Sequence, residues 1–234
     1  MTSIATESAL PALASCAASI FPSLAMRSPD RLNRQVHHPR RKRTILCTIP
    51  FPHVHSLAPR MRILSGKHAG RDLTSPNDFR VRPTAEHVRG ALLDLLKPDL
   101  KDATVLDLFA GTGALGLEAL SRGARRCDFV ETRPSSLHAL KANIALLRYR
   151  DTTRVFKKDA VPFAANLTEG AYDIAFADPP YGSRMLDRVI ESWVATRFAR
   201  VLAVEHERAH ALPKVKADVH RIIEDTGVTI YRLA

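Results

Sequence analysis

Cysteine is scarce in this 234-residue chain: Cys16, Cys47 and Cys127 stand far apart, odd in number and without a C-x-x-C spacing. That excludes a disulfide framework, gives no basis for a zinc site, and leads us to expect a reducing, cytoplasmic setting. Long apolar runs are missing as well. The best candidate, Ala9 to Met26, is cut by Pro11 and Pro22 and diluted by serines, short of the roughly 18 uninterrupted apolar residues of a membrane span. Glu7 stands where a secretory signal would be positive. No membrane association is expected. The ten histidines form no metal set: His37-His38 and His53-x-His55 fall in a proline-broken stretch, His206 and His210 read as surface residues, and no metal is expected.

Acid is in short supply at one end. Residues 1–60 hold only Glu7 and Asp30 against eight Lys/Arg, with seven prolines. Prolines that frequent forbid a long helix or central strand, and no apolar period offers a face to bury, so a disordered basic extension is expected. A basic RNA-binding tail, a targeting presequence and a start codon assigned too early, with Met61 as the true first residue, each fit this composition.

What is present is a soluble-protein composition, 45% hydrophobic and 25% charged, with 35 Lys/Arg against 24 Asp/Glu, a formal charge of +11 and a pI near 10.1. Such a balance points to a polyanionic partner. Without the extension, 27 basic and 22 acidic residues remain, so the rest is moderately basic.

Pattern begins abruptly at Met61. Met61–Ser65 and Arg71–Thr74 read as short strands around a glycine-containing turn. Thr84 is placed to cap a helix with Val88, Leu92, Leu95 and Leu96 on one face and Pro98 as its stop; residues 61–100 thus form a hairpin and helix. From residue 101 to 234, strand and helix alternate as a parallel doubly wound sheet requires. The expected strands are Thr104–Phe109, Arg126–Glu131, Thr153–Lys158, Tyr172–Ala177, Arg200–His206, Val219–Glu224 and Val228–Leu233. The expected helices are Ala114–Ser121, Ser135–Leu147, Ala160–Leu167 and Arg184–Thr196, and Asp225-Thr226-Gly227 is read as a hairpin turn. Trp193 is expected in the core.

Two motifs carry chemistry. Gly111, Gly113 and Gly116 spell G-x-G-x-x-G at a strand-to-helix turn, where absent side chains let a ligand approach the backbone and the helix N-terminus. Asp107 precedes this loop and suits a positive amino group, while Glu131 ends the next strand, where a carboxylate can accept both hydroxyls of a ribose. The second motif, Asp178-Pro-Pro-Tyr181, follows the fourth strand. Its prolines fix the backbone so that the Asp178 carboxylate and the Pro179 carbonyl can act together as acceptors for a planar NH2, with Tyr181 as a stacking face.

The stretches VLDLFAGTGALGLEAL and DPPY, with MRILSGKHAGRDL and RPTAEHVRGALLDLL upstream, resemble the bacterial 16S rRNA guanine-N2 methyltransferases, over about Met61 to Ala234. The resemblance implies a class I S-adenosylmethionine (SAM)-dependent methyltransferase fold, Rossmann-like α/β, with a seven-stranded mostly parallel sheet in the order 3-2-1-4-5-7-6. It implies SAM as cofactor and a guanine amine of 16S rRNA, free or in an assembling small subunit, as acceptor; a monomer is expected. Carried over residue by residue, Asp107, Gly111 and Gly113 would line the methionine moiety, Glu131 would hold the ribose, and Asp159 would accept from the adenine amine unless it serves as a helix N-cap. Asp178, Pro179 and Tyr181 would hold the target base, and Arg82, Thr84 and Arg89 would touch RNA or the cofactor rim unless the arginines form a solvated basic face. The short stretch from His206 to Val219 departs from the pattern, and the last crossover helix is expected to be reduced or missing.

Other classes share parts of this pattern. A DNA adenine methyltransferase shares DPPY but needs a recognition insert for which the core has no room. A glutamine methyltransferase is expected to show Asn where Asp178 stands. An NAD-dependent dehydrogenase is compatible with the glycine loop alone, and a non-catalytic RNA-binding protein would not need both motifs intact.

Overall fold

A computed structural model describes residues 61–76 and 85–233. The basic extension, Arg82 and Thr84 lie outside them.

Chain order is α1 (Glu86–Leu95), α2 (Lys97–Leu100), β1 (Thr104–Asp107), α3 (Ala114–Ser121), β2 (Arg126–Val130), α4 (Pro134–Leu146), β3 (Thr153–Phe156), α5 (Ala160–Ala165), β4 (Tyr172–Ala177), α6 (Met185–Thr196), β5 (Ala199–Glu207), β6 (Val219–Ile223) and β7 (Thr226–Arg232). The seven strands form one sheet in the order β3-β2-β1-β4-β5-β7-β6, parallel as far as β5 and antiparallel at β7 and β6. This is the expected Rossmann-like α/β fold. Residues 208–218 form no helix, as the shortness of that stretch implied.

Both faces of the central strands β1, β2, β4, β5 and β7 are buried and these strands are largely apolar, whereas the edge strands β3 and β6 are partly exposed. Alternate residues sort to opposite faces: Val105, Phe129, Ile174, Phe176, Val201 and Ala203 pack with Leu92, Leu117 and Leu140. Leu106, Val130, Ala175, Ala177, Leu202 and Val204 pack with Leu186, Val189, Ile190 and Trp193. Trp193 is core, and its indole N–H donates to the Ala199 carbonyl at 2.7 Å.

Several local readings need correction. β1, β2 and β3 stop two, one and two residues short of their expected ends, because there the chain leaves the ladder to build the loops of the site. Pro98 does not terminate the helical region but sits in the first turn of α2, where its missing N–H had no helical acceptor to lose. The residue before α1 is Ala85, which makes no side-chain cap. The hairpin turn is Glu224-Asp225, with Glu224 at φ 57° and the pair Ile223–Thr226 closing it. Gly227 belongs to β7 instead, where a Cβ would lie 2.1 Å from the His206 ring. His206 is correspondingly buried, not a surface residue.

The segment 61–76 is a hairpin held by mutual bonds between Ile63 and the Gly70–Arg71 backbone and by Leu73 N–H to the Met61 carbonyl at 2.7 Å. Asn143 on α4 clamps it to the core: its amide accepts from Thr74 N–H at 2.7 Å and donates to the carbonyls of Thr74 and Thr112 at 3.0 Å each.

Candidate active site

The loops that follow β1, β2, β3 and β4 open into a cleft of about 450 Å³. This is where open α/β sheets bind ligands. Asp107, Gly111, Glu131, Asp159, Asp178, Pro179 and Tyr181, drawn from both sequence motifs and from two further strand ends, all line it, together with Glu205 and Thr226.

The glycine loop is built for three separate reasons. Gly111, at φ 52°, would point a Cβ into open space, so its bareness widens the cleft. Gly113, at φ 82°, supplies the left-handed turn into α3, and a Cβ there would meet Leu140 at 2.3 Å. Gly116 lets α3 lie on the sheet, since a Cβ would come within 2.5 Å of the Phe129 ring. Gly113, expected against the methionine moiety, is therefore a packing residue beneath the cleft and not among those that line it.

Five carboxylates face this space, from Asp107, Glu131, Asp159, Asp178 and Glu205. Asp107 is buried, and burial pushes its carboxyl up to about 7, aided by the negative charges of Asp178 and Glu131 and opposed by the Gly116 N–H that its Oδ2 accepts at 3.2 Å. Glu131, also buried, accepts from Gly111 N–H at 2.9 Å through Oε2 and from the N–H groups of Thr132 and Arg133 at 2.7 Å each through Oε1. It thus joins the end of β2 to the glycine loop. Asp159 is the N-cap of α5, its Oδ1 accepting from Val161 N–H at 3.1 Å, while it also borders the cleft.

In the Asp-Pro-Pro-Tyr loop, Pro179 is buried and Asp178 is half-buried. The Tyr181 hydroxyl lies 3.1 Å from Thr226 Oγ1 on β7, and the Ser183 hydroxyl donates to the Pro180 carbonyl at 2.8 Å.

Arg89, expected to touch RNA or the cofactor rim, does neither. Its side chain is fully buried, with Nε donating to Glu118 Oε2 at 2.8 Å and a terminal nitrogen donating to the Arg62 carbonyl at 2.6 Å. Glu118 is fully buried too and accepts from Arg122 at 2.7 Å. The arginine pins α1 to α3 under the hairpin, because a guanidinium can serve a carboxylate and a carbonyl at once.

Sequence reading missed Glu205 and Thr226. Alternation along β5 could have found Glu205, which shares a face with Val201 and Ala203; Thr226 was hidden inside a turn assignment. Among the described residues, no cluster of three or more His, Cys, Asp or Glu could hold a metal ion, and no helix is long and apolar enough to cross a membrane.

Residues 61–234 match the family described as conserved hypothetical protein 95. Among curated proteins, the ribosomal RNA small subunit methyltransferase D of Escherichia coli K12 is 36% identical over 187 residues, covering 76% of this chain and 91% of that protein. Among solved structures, the Escherichia coli protein yhhF is 31% identical, with a TM-score of 0.66 over 74% of this chain and 97% of that one. An RNA methyltransferase from Salinibacter ruber, solved with S-adenosyl-L-homocysteine, shares the fold at 13% identity and a TM-score of 0.53, over 64% of this chain and 93% of that one. From Met61 onward, the chain belongs to the conserved hypothetical protein 95 family, that of the small-subunit rRNA methyltransferases.

Proposed function

We propose that the protein is a SAM-dependent rRNA methyltransferase whose acceptor is the exocyclic N2 amine of a guanine in 16S rRNA. The observation that carries this reading is the meeting, in one cleft, of the Gly111 loop and Glu131 with Asp178, Pro179 and Tyr181. A cofactor half and a planar-amine half then share a wall.

The donor set fits SAM. A sulfonium, an ammonium, two ribose hydroxyls and an adenine amine are all cations or donors, and the cleft meets them with carboxylates and the bare backbone of Gly111. When bound, SAM supplies an already activated methyl group. Glu131 accepts the ribose hydroxyls, Asp107 faces the ammonium, and Asp159 accepts from the adenine amine with the capacity left after capping α5.

The target N2 lone pair is delocalised into the guanine ring, so the amine is a poor nucleophile until it is drawn towards tetrahedral geometry. Asp178 and the Pro179 carbonyl do this by accepting from its two N–H groups, and Asp178 can take the proton that the methylated amine sheds. Positioning provides most of the acceleration. A paired base hides its amine, so the target lies in a loop or is flipped out, with the Tyr181 ring replacing its lost stacking.

The test is incubation with methyl-labelled SAM and undermethylated small subunits, then mapping of the modified base. Label on N2 of one 16S guanine is the expected result; label on an adenine N6, or on no RNA, would overturn the reading.

A further inference from the structure

The reading above gives no role to Glu205, which is 5% exposed and lines the cleft from the end of β5. Its position follows from the strand register. β4 and β5 run parallel with Ile174 opposite Val201 and Phe176 opposite Ala203, and these four side chains lie on one face of the sheet. The ladder ends with Ala177 opposite Val204, so Asp178 and Glu205 are the next residues along the two adjacent paths, their backbones leaving the last pair one strand spacing, about 5 Å, apart, and both line the cleft. Glu205 also borders the small hollow beside the cleft, with Pro179, Pro180 and Tyr181. It therefore belongs to the acceptor half of the site, on the side of Asp178 away from β1 and Asp107.

The guanine edge that carries N2 also carries N1–H, a donor directly adjacent to the amine. Adenine presents a bare N1 acceptor at the corresponding place. The N2 amine is flanked by N1–H on one side and by the bare acceptor N3 on the other, and a carboxylate beside Asp178 favours the orientation that turns N1–H towards it, because it attracts a donor and repels a bare ring nitrogen. We infer that Glu205 is the specificity residue of the acceptor site, accepting from guanine N1–H and so selecting guanine over bases with an unprotonated N1. The inference rests on the guanine-N2 reading and adds to it a residue that reads the base without acting on the transferred group.

The experiment uses the full chain and small subunits reconstituted with 2-aminopurine at the mapped target position. 2-Aminopurine keeps the exocyclic amine of guanine but has a bare N1. Wild-type protein should prefer guanine over 2-aminopurine in kcat/KM by about 10- to 100-fold, the effect of setting a buried carboxylate against an acceptor. Glu205→Gln can accept from guanine N1–H through its oxygen or donate to 2-aminopurine N1 through its nitrogen. It should narrow that preference by about tenfold or more, chiefly by improved use of 2-aminopurine, with SAM affinity unchanged by calorimetry. A ratio taken on one preparation is insensitive to its active fraction, so partial unfolding of the variant does not obscure it. An unchanged ratio in Glu205→Gln, or a wild-type protein that uses both bases equally, would overturn the inference while leaving guanine-N2 transfer intact. Wild-type label away from guanine N2 would instead overturn the underlying reading, and this inference with it.

Discussion

The hydroxyls of Tyr181 and Thr226 lie 3.1 Å apart, joining the Asp-Pro-Pro-Tyr loop to the first residue of β7. The two residues are 45 positions apart in sequence, and the contact ties to β7 the ring proposed above to stack on the target base. Thr226→Val keeps the shape and removes the partner. It should lower kcat/KM for RNA by about 2- to 10-fold, the range of one modest hydrogen bond, leave SAM affinity unchanged, and be largely rescued by Thr226→Ser. Equal activity of the Val and Thr proteins would show that the ring is held by packing alone.

Asp178 is assigned to the reacting amine, so its effect should appear after substrate binding. Asp178→Ala should reduce kcat by about 10²- to 10³-fold, as loss of one preorganised polar partner does elsewhere, with SAM binding intact. Asp178→Asn keeps an acceptor oxygen and should retain part of the rate. Single-turnover kinetics on small subunits would separate this from a binding defect.

Asp107 gives the empty protein a pH dependence. Burial raises its carboxyl from an ordinary 3.8 to about 7, so between those values the unfolded chain releases a proton that the folded chain keeps. Stability from this group is therefore greatest below about pH 4 and declines as pH rises towards 7. A Tm profile of wild type against Asp107→Asn should show a falling contribution over that window only in the wild type. A cationic ligand favours the ionised carboxylate, so SAM should bind more tightly at pH 8 than at pH 6, and calorimetry in buffers of different ionisation enthalpy should register proton release. Parallel Tm profiles for the two proteins would refute the stability argument.

Arg89 is a stability residue. Arg89→Met removes the guanidinium from a fully buried carboxylate that keeps only Arg122, and breaking a buried pair on one side costs about 3–5 kcal/mol. Denaturant unfolding should show a loss near the lower end of that range, because Arg122 remains. RNA affinity per folded molecule should not change; a variant of native stability with weakened RNA binding would return Arg89 to the interface.

The parts of this protein that were legible in sequence are those whose chemistry is local. The glycine loop and the Asp-Pro-Pro-Tyr tetrapeptide announce themselves because backbone turns and fixed acceptors need those residue types in that order. The strand periods placed all seven strands for the same reason. Arg89 was misread because an arginine in the first turns of a helix looks solvated, and its burial is decided by Glu118, 29 residues away. Gly227 was misread because a glycine beside Asp and Thr looks like a turn, whereas it is small to admit the His206 ring from a neighbouring strand. Glu205 was given no role because it is one acid within the closing LAVEHE strand and nothing local marks its side chain for a ligand; only the cleft shared with the loop after β4 brings it near Asp178.

The placement of β7 between β5 and β6 has a consequence for how the protein assembles. β6 is made before β7 yet has β7 as its ladder partner, and β5 likewise waits for β7 along seven paired positions. The glycine loop is closed over 20 positions, by the bond from Gly111 N–H to Glu131, whereas Tyr181 meets Thr226 across 45. Loop closure over short separations precedes closure over long ones, so the pocket wall holding Gly111 and Glu131 forms ahead of the one where Tyr181 meets Thr226. Until then the apolar β5 is an open flank able to pair with another chain. Pulsed hydrogen exchange during refolding should find the β1–β4 ladder, where Val105 pairs with Ile174, protected after the more local β1–β2 and β6–β7 ladders, and a deletion of β6 and β7 should aggregate through β5.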